Sequence, residues 1–189
     1  MDAHAEHFRK GGQTVPYLAH LLGTASTVLE AGGSEQEAVL ALLHDVVEDQ
    51  PIDGSGHARL DDVRARFGTR IADGVKSLSD WIQEGPGHEK GGDKEARKRA
   101  YREHLAAEPD KSVLLVSAAD KLNNARSMED DRAVHEERMW DRFDGSTRKE
   151  IIDNYRGLIE IYREAATRDD RLRRIVKSLA ETIERLSLN

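Results

Sequence analysis

The residues best placed to do chemistry in this chain are His44-Asp45-Val46-Val47-Glu48-Asp49, which follow directly on the apolar run Ala38-Val39-Leu40-Ala41-Leu42-Leu43. That run is apolar on every side of a helix, the pattern of a helix buried all round. If helical geometry continues, His44 faces with Glu48 and Asp45 with Asp49 at i,i+4, while Asp45 and Glu48 meet at i,i+3. Three carboxylates and an imidazole then share about one turn. An unpaired buried charge costs several kcal/mol even after relaxation, a large part of a domain stability of roughly 5 to 15 kcal/mol. A divalent cation would compensate. A second apolar run, Val113-Leu114-Leu115-Val116, leads to Asp120, with Asn124 one turn later. His20 stands four residues after Pro16, at the foot of a stripe made by Leu18, Leu21, Leu22, Ala25 and Val28. His20, His44, Asp45 and Asp120 would supply two nitrogens and two oxygens, with water in the open positions, a set suited to a catalytic rather than a closed structural site.

The elements that must position these groups read as helices throughout. Pro16 opens a helix over 17–31 that Gly32-Gly33 ends. Ser34 and Glu37 then fit a capping box for a second helix running to about 47. Further helices are expected near 60–67, 71–82, 94–107 and 111–125. Two or three more complete the chain, the last with Leu172, Ile175, Val176, Leu179, Ile183 and Leu186 on one face. No period-2 run is long enough for a convincing strand and no internal repeat is present, so the expected class is all-α. Residues 85–93, rich in glycine and charge, read as a mobile loop between helices.

Composition narrows the function. The chain has 189 residues, a length for one domain, and its charged fraction of 34% suits long helices with solvated outer faces. A net charge of −7 opposes a generic nucleic-acid binder, whose affinity rests on a basic face. With zero cysteines, a metal must be held by His and carboxylates. The polar, acidic start does not resemble a signal peptide, and nothing approaches the roughly 18 apolar residues of a membrane span. A cytoplasmic protein without membrane association is expected.

Longer stretches carry a resemblance. His20, then His44-Asp45, then Asp120 is similar to the signature of the HD superfamily of metal-dependent phosphohydrolases. Arg9-Lys10-Gly11, Pro16-Tyr17-Leu18-Ala19-His20, Ala41 to Asp49, Phe67-Gly68 and Ala119-Asp120-Lys121-Leu122-Asn123-Asn124-Ala125-Arg126 together resemble the hydrolase domain of RelA/SpoT homologues, above all the free-standing small alarmone hydrolases. The resemblance implies a single HD domain over 1–189, a bundle of about eight to ten helices with a core near 7–166 and a C-terminal amphipathic helix near 169–187. It also implies removal of the 3′-pyrophosphate from guanosine tetra- and pentaphosphate, or the adenosine analogue, with one manganese ion. By position, His20, His44, Asp45 and Asp120 would hold the metal, and Glu48 and Asp49 would position and deprotonate the attacking water. Arg9 and Lys10 would clamp phosphate oxygens, with Lys94, Arg97 and Lys98 closing from the other side. Asn124 would contact the nucleoside or support a ligand, and Tyr155 is a further substrate-binding candidate.

The chain departs from the family pattern in having Leu21 where proline usually follows the first ligand histidine. His57, His88 and His104 lie between the ligand blocks, where binuclear relatives carry extra ligands; their polar surroundings read as surface, which favours one metal. A nucleotide is the expected partner, and the oligomeric state stays open. Two other functions compete: a general HD nucleotidase or phosphodiesterase on another nucleotide, and a non-catalytic nucleotide or metal sensor.

Overall fold

The computed structural model describes residues 7–9, 15–82, 93–143 and 145–188. Helix α1 spans Leu18–Glu30, α2 Glu35–Leu43, α3 Val46–Asp49, α4 Gly56–Phe67, α5 Thr69–Leu78, α6 Lys94–Ala107 and α7 Lys111–His135. A 3-10 segment, Glu136–Arg142, leads to α8, Arg148–Ala166, and α9, Arg171–Ser187. The class is all-α, as expected. Among the described residues no strand occurs, only the isolated bridges Phe8 to Pro16 and Ile52 to Ser55. No helix there is long and apolar enough to cross a membrane.

Local chemistry sets the boundaries. The capping box at Ser34 is present: its hydroxyl accepts from the Glu37 amide, and the Glu37 carboxylate accepts from the Ser34 amide at 2.7 Å. The helix expected near 60–67 starts earlier, at Gly56, because Ser55 caps it, its hydroxyl accepting from the Ala58 amide at 3.2 Å. Gly68, at φ +86°, then turns the chain into α5. The helix expected over 111–125 runs on to His135, since no proline or glycine stops it and Met128 continues its buried side. The helix expected to reach 47 instead stops at Leu43 and resumes at Val46, a break that matters below. The mobile loop expected over 85–93 falls, except for Asp93, outside the described residues.

The first turns of α7 form the centre of the bundle, with every residue from Ser112 to Asp120 buried. Helix α1 packs on both α2 and α7, and α9 lays its apolar face across α7 and α8. Carbonyls of the last turn of α9 are capped from outside: Arg148 donates to Leu186 O at 2.9 Å, and Arg132 to Arg185 O at 3.0 Å.

One ion pair ties this last helix back to α2. Arg171 Nη1 donates to both carboxylate oxygens of buried Glu37 at 2.9 Å, while its Nη2 donates to Asp169 at 2.6 Å. Burial would raise the Glu37 pKa, but the Ser34 amide and hydroxyl, Ser112 and Arg171 together hold it below the ordinary range. Arg171→Ala should therefore destabilise the fold by about 1–3 kcal/mol, the cost of a buried acceptor that loses its partner. At roughly 2–4 °C per kcal/mol for a chain of this size, a thermal melt checks it. A melt displaced by less than 1 °C would mean that water serves Glu37 as well as the guanidinium does.

Candidate metal centre

Three parts of the chain meet beside the buried turns of α7. The segment 7–9 pairs with 15–17, the Arg9 amide donating to Val15 O at 3.0 Å and the Tyr17 amide to His7 O at 2.8 Å. This short pairing brings Arg9 to the foot of α1, where His20 points inward at 2% exposure. His44 closes α2, and its ring Nδ1 sits 2.7 Å from Ala41 O, a carbonyl left open by the end of the helix. Asp45 follows at φ −97°, ψ −3°, in the bridge region between helix and strand. Adjacent residues on a continuous helix do not face one another. The turn at 44–45 aims both side chains at the same point.

The result is a tight cluster. His20 Nε2 and His44 Nε2 are 3.3 Å apart. Asp45 Oδ2 is 2.9 Å from His44 Nε2 and 3.5 Å from His20 Nε2. Asp120 Oδ1, from α7, is 3.2 Å from His20 Nε2 and 3.6 Å from His44 Nε2. His20, His44 and Asp45 each offer an atom within 4.8 Å of the others, a spacing that could hold a metal ion. Among the described residues no second group of this kind occurs.

The electrostatics show what such a cluster lacks. Burial alone would lower both histidine pKa values. Hydrogen bonds to Asp120 and Asp45 raise that of His20, and the Asp45 charge with the Asp120 hydrogen bond raises that of His44 far more. Burial opposes ionisation of Asp45, yet His44 and His20 hold its carboxyl far below the usual range. Lys121 and the two histidines do the same for Asp120. Without a cation, protons on imidazole do the neutralising, and two Nε2 atoms at 3.3 Å cannot both carry one comfortably. Each histidine has its Nδ1 engaged elsewhere, on Asn123 for His20 and on Ala41 O for His44. Both Nε2 lone pairs are therefore available inward, the arrangement that suits imidazole as a ligand. The donor set fits a borderline divalent ion.

Other groups expected at the site surround this cluster unevenly. Glu48 does not pair with His44 as a continuous helix would have required. The break after Leu43 turns it toward Asp80, whose amide donates to Glu48 Oε1 at 2.7 Å. Asp49 lies on the other flank, 4.0 Å from His7 Nδ1, its pKa raised by burial and by the charge of Asp45. Arg9 reaches the centre's edge, Nη2 donating to Asn124 Oδ1 at 2.9 Å, and Asn124 Nδ2 donates to Asp120 Oδ1 at 2.6 Å. Tyr155 sits close enough to feel Lys121, Asp120 and Arg9, and burial pushes its hydroxyl up to about 12. Lys94 is exposed in the first turn of α6, Arg97 is half-buried, and Lys98 binds Glu95 at 2.7 Å. Lys10 and His88 lie outside the described residues. His57 is exposed on α4, and His104 meets Ser77 O at 3.1 Å, so neither joins the cluster.

Three residues to which sequence reasoning gave no role contribute. The Tyr17 hydroxyl donates to Asp45, and its ring stacks on His7 with centroids 4.2 Å apart. Lys121 Nζ donates to Asp120 Oδ2 at 2.6 Å while lying over the Tyr101 ring at 5.7 Å. Asn123 Oδ1 accepts from His20. The i,i+3 rule could have found Asn123, which shares a face with Asp120. The others depend on how the helices cross.

Comparison with known proteins places this geometry. A family model described as an HD domain matches residues 1–142. A probable guanosine-3′,5′-bis(diphosphate) 3′-pyrophosphohydrolase of Synechocystis is 32% identical over 132 residues, 68% of this chain and 15% of that protein. The guanosine-3′,5′-bis(diphosphate) 3′-pyrophosphohydrolase MESH1 of Xenopus tropicalis is 33% identical over 129 residues, 67% of this chain and 64% of that one. The matched region thus spans less than two thirds of either relative. A solved structure described as a metazoan orthologue of SpoT that hydrolyses ppGpp is similar with a TM-score of 0.68 at 25% identity, over 100% of this chain and 91% of that one.

The charge balance gives a pH signature. His20 and His44 are raised in the folded, cation-free protein, so their stabilisation is fully present below an unfolded pKa of about 6.5 and is lost as pH rises through the folded values. Asp45 and Asp120 are lowered, so theirs is present above about 3.9 and lost only as pH falls through their folded values. Chelator-treated protein should melt at progressively lower temperature as pH rises above about 6.5. The gain in melting temperature on adding Mn2+ should grow over the same interval, because protons then compete less for the ligands. A gain that stays constant from pH 6 to pH 9 would contradict this coupling.

Proposed function

Because this chain belongs to the HD-domain family, through the match over residues 1–142, we propose that it hydrolyses the 3′-pyrophosphate of alarmone nucleotides of the guanosine tetra- and pentaphosphate type. The observation that carries this reading is the convergence of His20, His44 and Asp45 on one point, with Asp120 Oδ1 3.2 Å from His20 Nε2 and 3.6 Å from His44 Nε2 and with Arg9 tied to Asp120 through Asn124. The relatives named above as 3′-pyrophosphohydrolases support the choice of substrate. The net charge of −7 supports a small nucleotide rather than a nucleic acid as partner. The reading includes a single HD domain over 1–189 and a cytoplasmic location.

In this proposal His20, His44, Asp45 and Asp120 hold one Mn2+. A divalent ion there lowers the pKa of water and neutralises charge on phosphoryl oxygens. Glu48 and Asp49 flank the attacking water from opposite sides and take its proton. The raised pKa of Asp49 makes it the better acceptor, while Glu48, held by the Asp80 amide, fixes the orientation. The water oxygen bonds to the 3′-attached phosphorus, the bond from that phosphorus to the ribose oxygen breaks, and the ribose oxygen takes up a proton as pyrophosphate departs. Arg9 and Lys10 clamp phosphate oxygens bidentately and by point charge. Lys94, Arg97 and Lys98 close from α6, Tyr155 contacts the nucleoside, and Asn124 supports Asp120, to which its amide donates. Stabilisation of the transferring group is mainly electrostatic.

A turnover assay with Mn2+ on guanosine and adenosine tetraphosphates, separating pyrophosphate from phosphate, tests the proposal. The expected products are pyrophosphate and a nucleoside 5′-diphosphate, absent with Asp45→Ala, which should lose metal and activity together. No product from either substrate, with protein shown to contain metal, would turn the reading toward another nucleotide or a sensor. Glu48→Ala and Asp49→Ala should each retain metal and lose turnover by roughly 10² to 10⁴ if they serve the proton transfer. Unchanged turnover in either variant removes that residue from the mechanism.

A further inference from the structure

Asn123 makes two contacts with one atom. Its Oδ1 lies 2.7 Å from His20 Nδ1 and 3.2 Å from Arg9 Nη1. A guanidinium only donates, so the amide atom facing Arg9 must be the oxygen. That same oxygen has no proton to give, so His20 Nδ1 must carry one, and the Nε2 lone pair is left facing His44, Asp45 and Asp120. With the amide reversed, its NH2 would meet Nδ1 instead, the ring would shift its proton to Nε2, and that proton would point into the cluster. Arg9 is thus what prevents the reversal.

The backbone makes room for this arrangement at one position. A Cβ added at Gly23, one turn beyond His20 on α1, would stand 2.3 Å from Asn123 Nδ2 and 3.2 Å from its Cγ. Only glycine lets the amide lie against α1 here. Gly23 and Asn123 are therefore two halves of one fitting on facing helices.

We propose that Asn123 is the positioning residue that fixes which nitrogen of His20 faces the metal, and that it ties this choice to Arg9. The proposal rests on the metal-site reading above. It adds to that reading a coupling: a phosphate group that draws Arg9 away from Asn123 removes this restraint and loosens the lock on His20, so nucleotide and cation do not bind independently.

The test is a calorimetric titration of Mn2+ into metal-stripped protein, with thermal melts to establish folding, so that it needs no substrate. Asn123→Ala should weaken Mn2+ binding by about 10- to 100-fold, the usual range for a residue that orients a ligand. Asn123→Asp keeps an acceptor toward both donors and has no NH2 to present, so it should bind within a few-fold of wild type or more tightly. Gly23→Ala, which touches no ligand, should mimic Asn123→Ala by displacing the amide. The double variant should be no weaker than Asn123→Ala alone, because the glycine acts only through the amide. Undiminished Mn2+ affinity in folded Asn123→Ala, no rescue in Asn123→Asp, or losses that add in the double variant would each overturn the proposal. Failure of the underlying reading looks different: wild-type protein itself would take up no Mn2+, and the positioning role would fall with the centre.

Discussion

Two imidazole nitrogens and two carboxylates occupy one small volume between helices whose other buried side chains are nearly all apolar, and the surrounding structure is organised by the need to balance their charge. Lys121 answers for one oxygen of Asp120 and Asn124 for the other. Tyr17 answers for Asp45. Even so, the hydrogen bonds and charge of Asp45 and Asp120 outweigh burial and leave both histidines inclined to hold protons. A cation would replace protons that the cluster otherwise has to borrow from solvent, which is why the absence of cysteine does not weaken the site.

Each of the four donor residues reaches this volume by a different local device. His20 rides on a helix begun by Pro16 and held by a short pairing with residues 7–9, so the same pairing that starts α1 also delivers Arg9. His44 and Asp45 depend on a helix that stops one turn early. Asp120 needs only the most buried stretch of α7, which stays rigid because it is enclosed by α1, α2 and α9. The cluster is therefore built on packed elements, with the irregular backbone among its four donors confined to the turn at 44–45.

Much of this was legible in the residues themselves. Uninterrupted apolar runs ending in His44-Asp45 and Asp120 announced buried helices with ionisable ends, and glycine and proline marked most boundaries. The break between α2 and α3 was not legible. Val46 and Val47 extend the apolar pattern as smoothly as a continuous helix would, and only the demand that adjacent side chains meet at one point selects the turn. The partners of these donors were hidden for another reason. Asn123 and His20 are separated by 103 residues, and their contact depends on the crossing of α1 over α7 and on the missing side chain of Gly23. The resemblance quoted for residues 119–126 contained Lys121 and Asn123 without distinguishing them from their neighbours.

The pairing of Arg171 with Glu37 reaches beyond stability. Every residue in the donor cluster lies within the first 142 positions, the stretch that the family model matches, yet the helix that delivers His44 is fastened through Glu37 to a side chain well outside it. A fragment trimmed to that stretch would keep all four donors and lose the fastening, along with the helix that covers one side of α7. The natural unit for transplanting this centre into another scaffold is thus longer than the family boundary suggests, and grafts designed to that boundary would inherit the ligands without their frame.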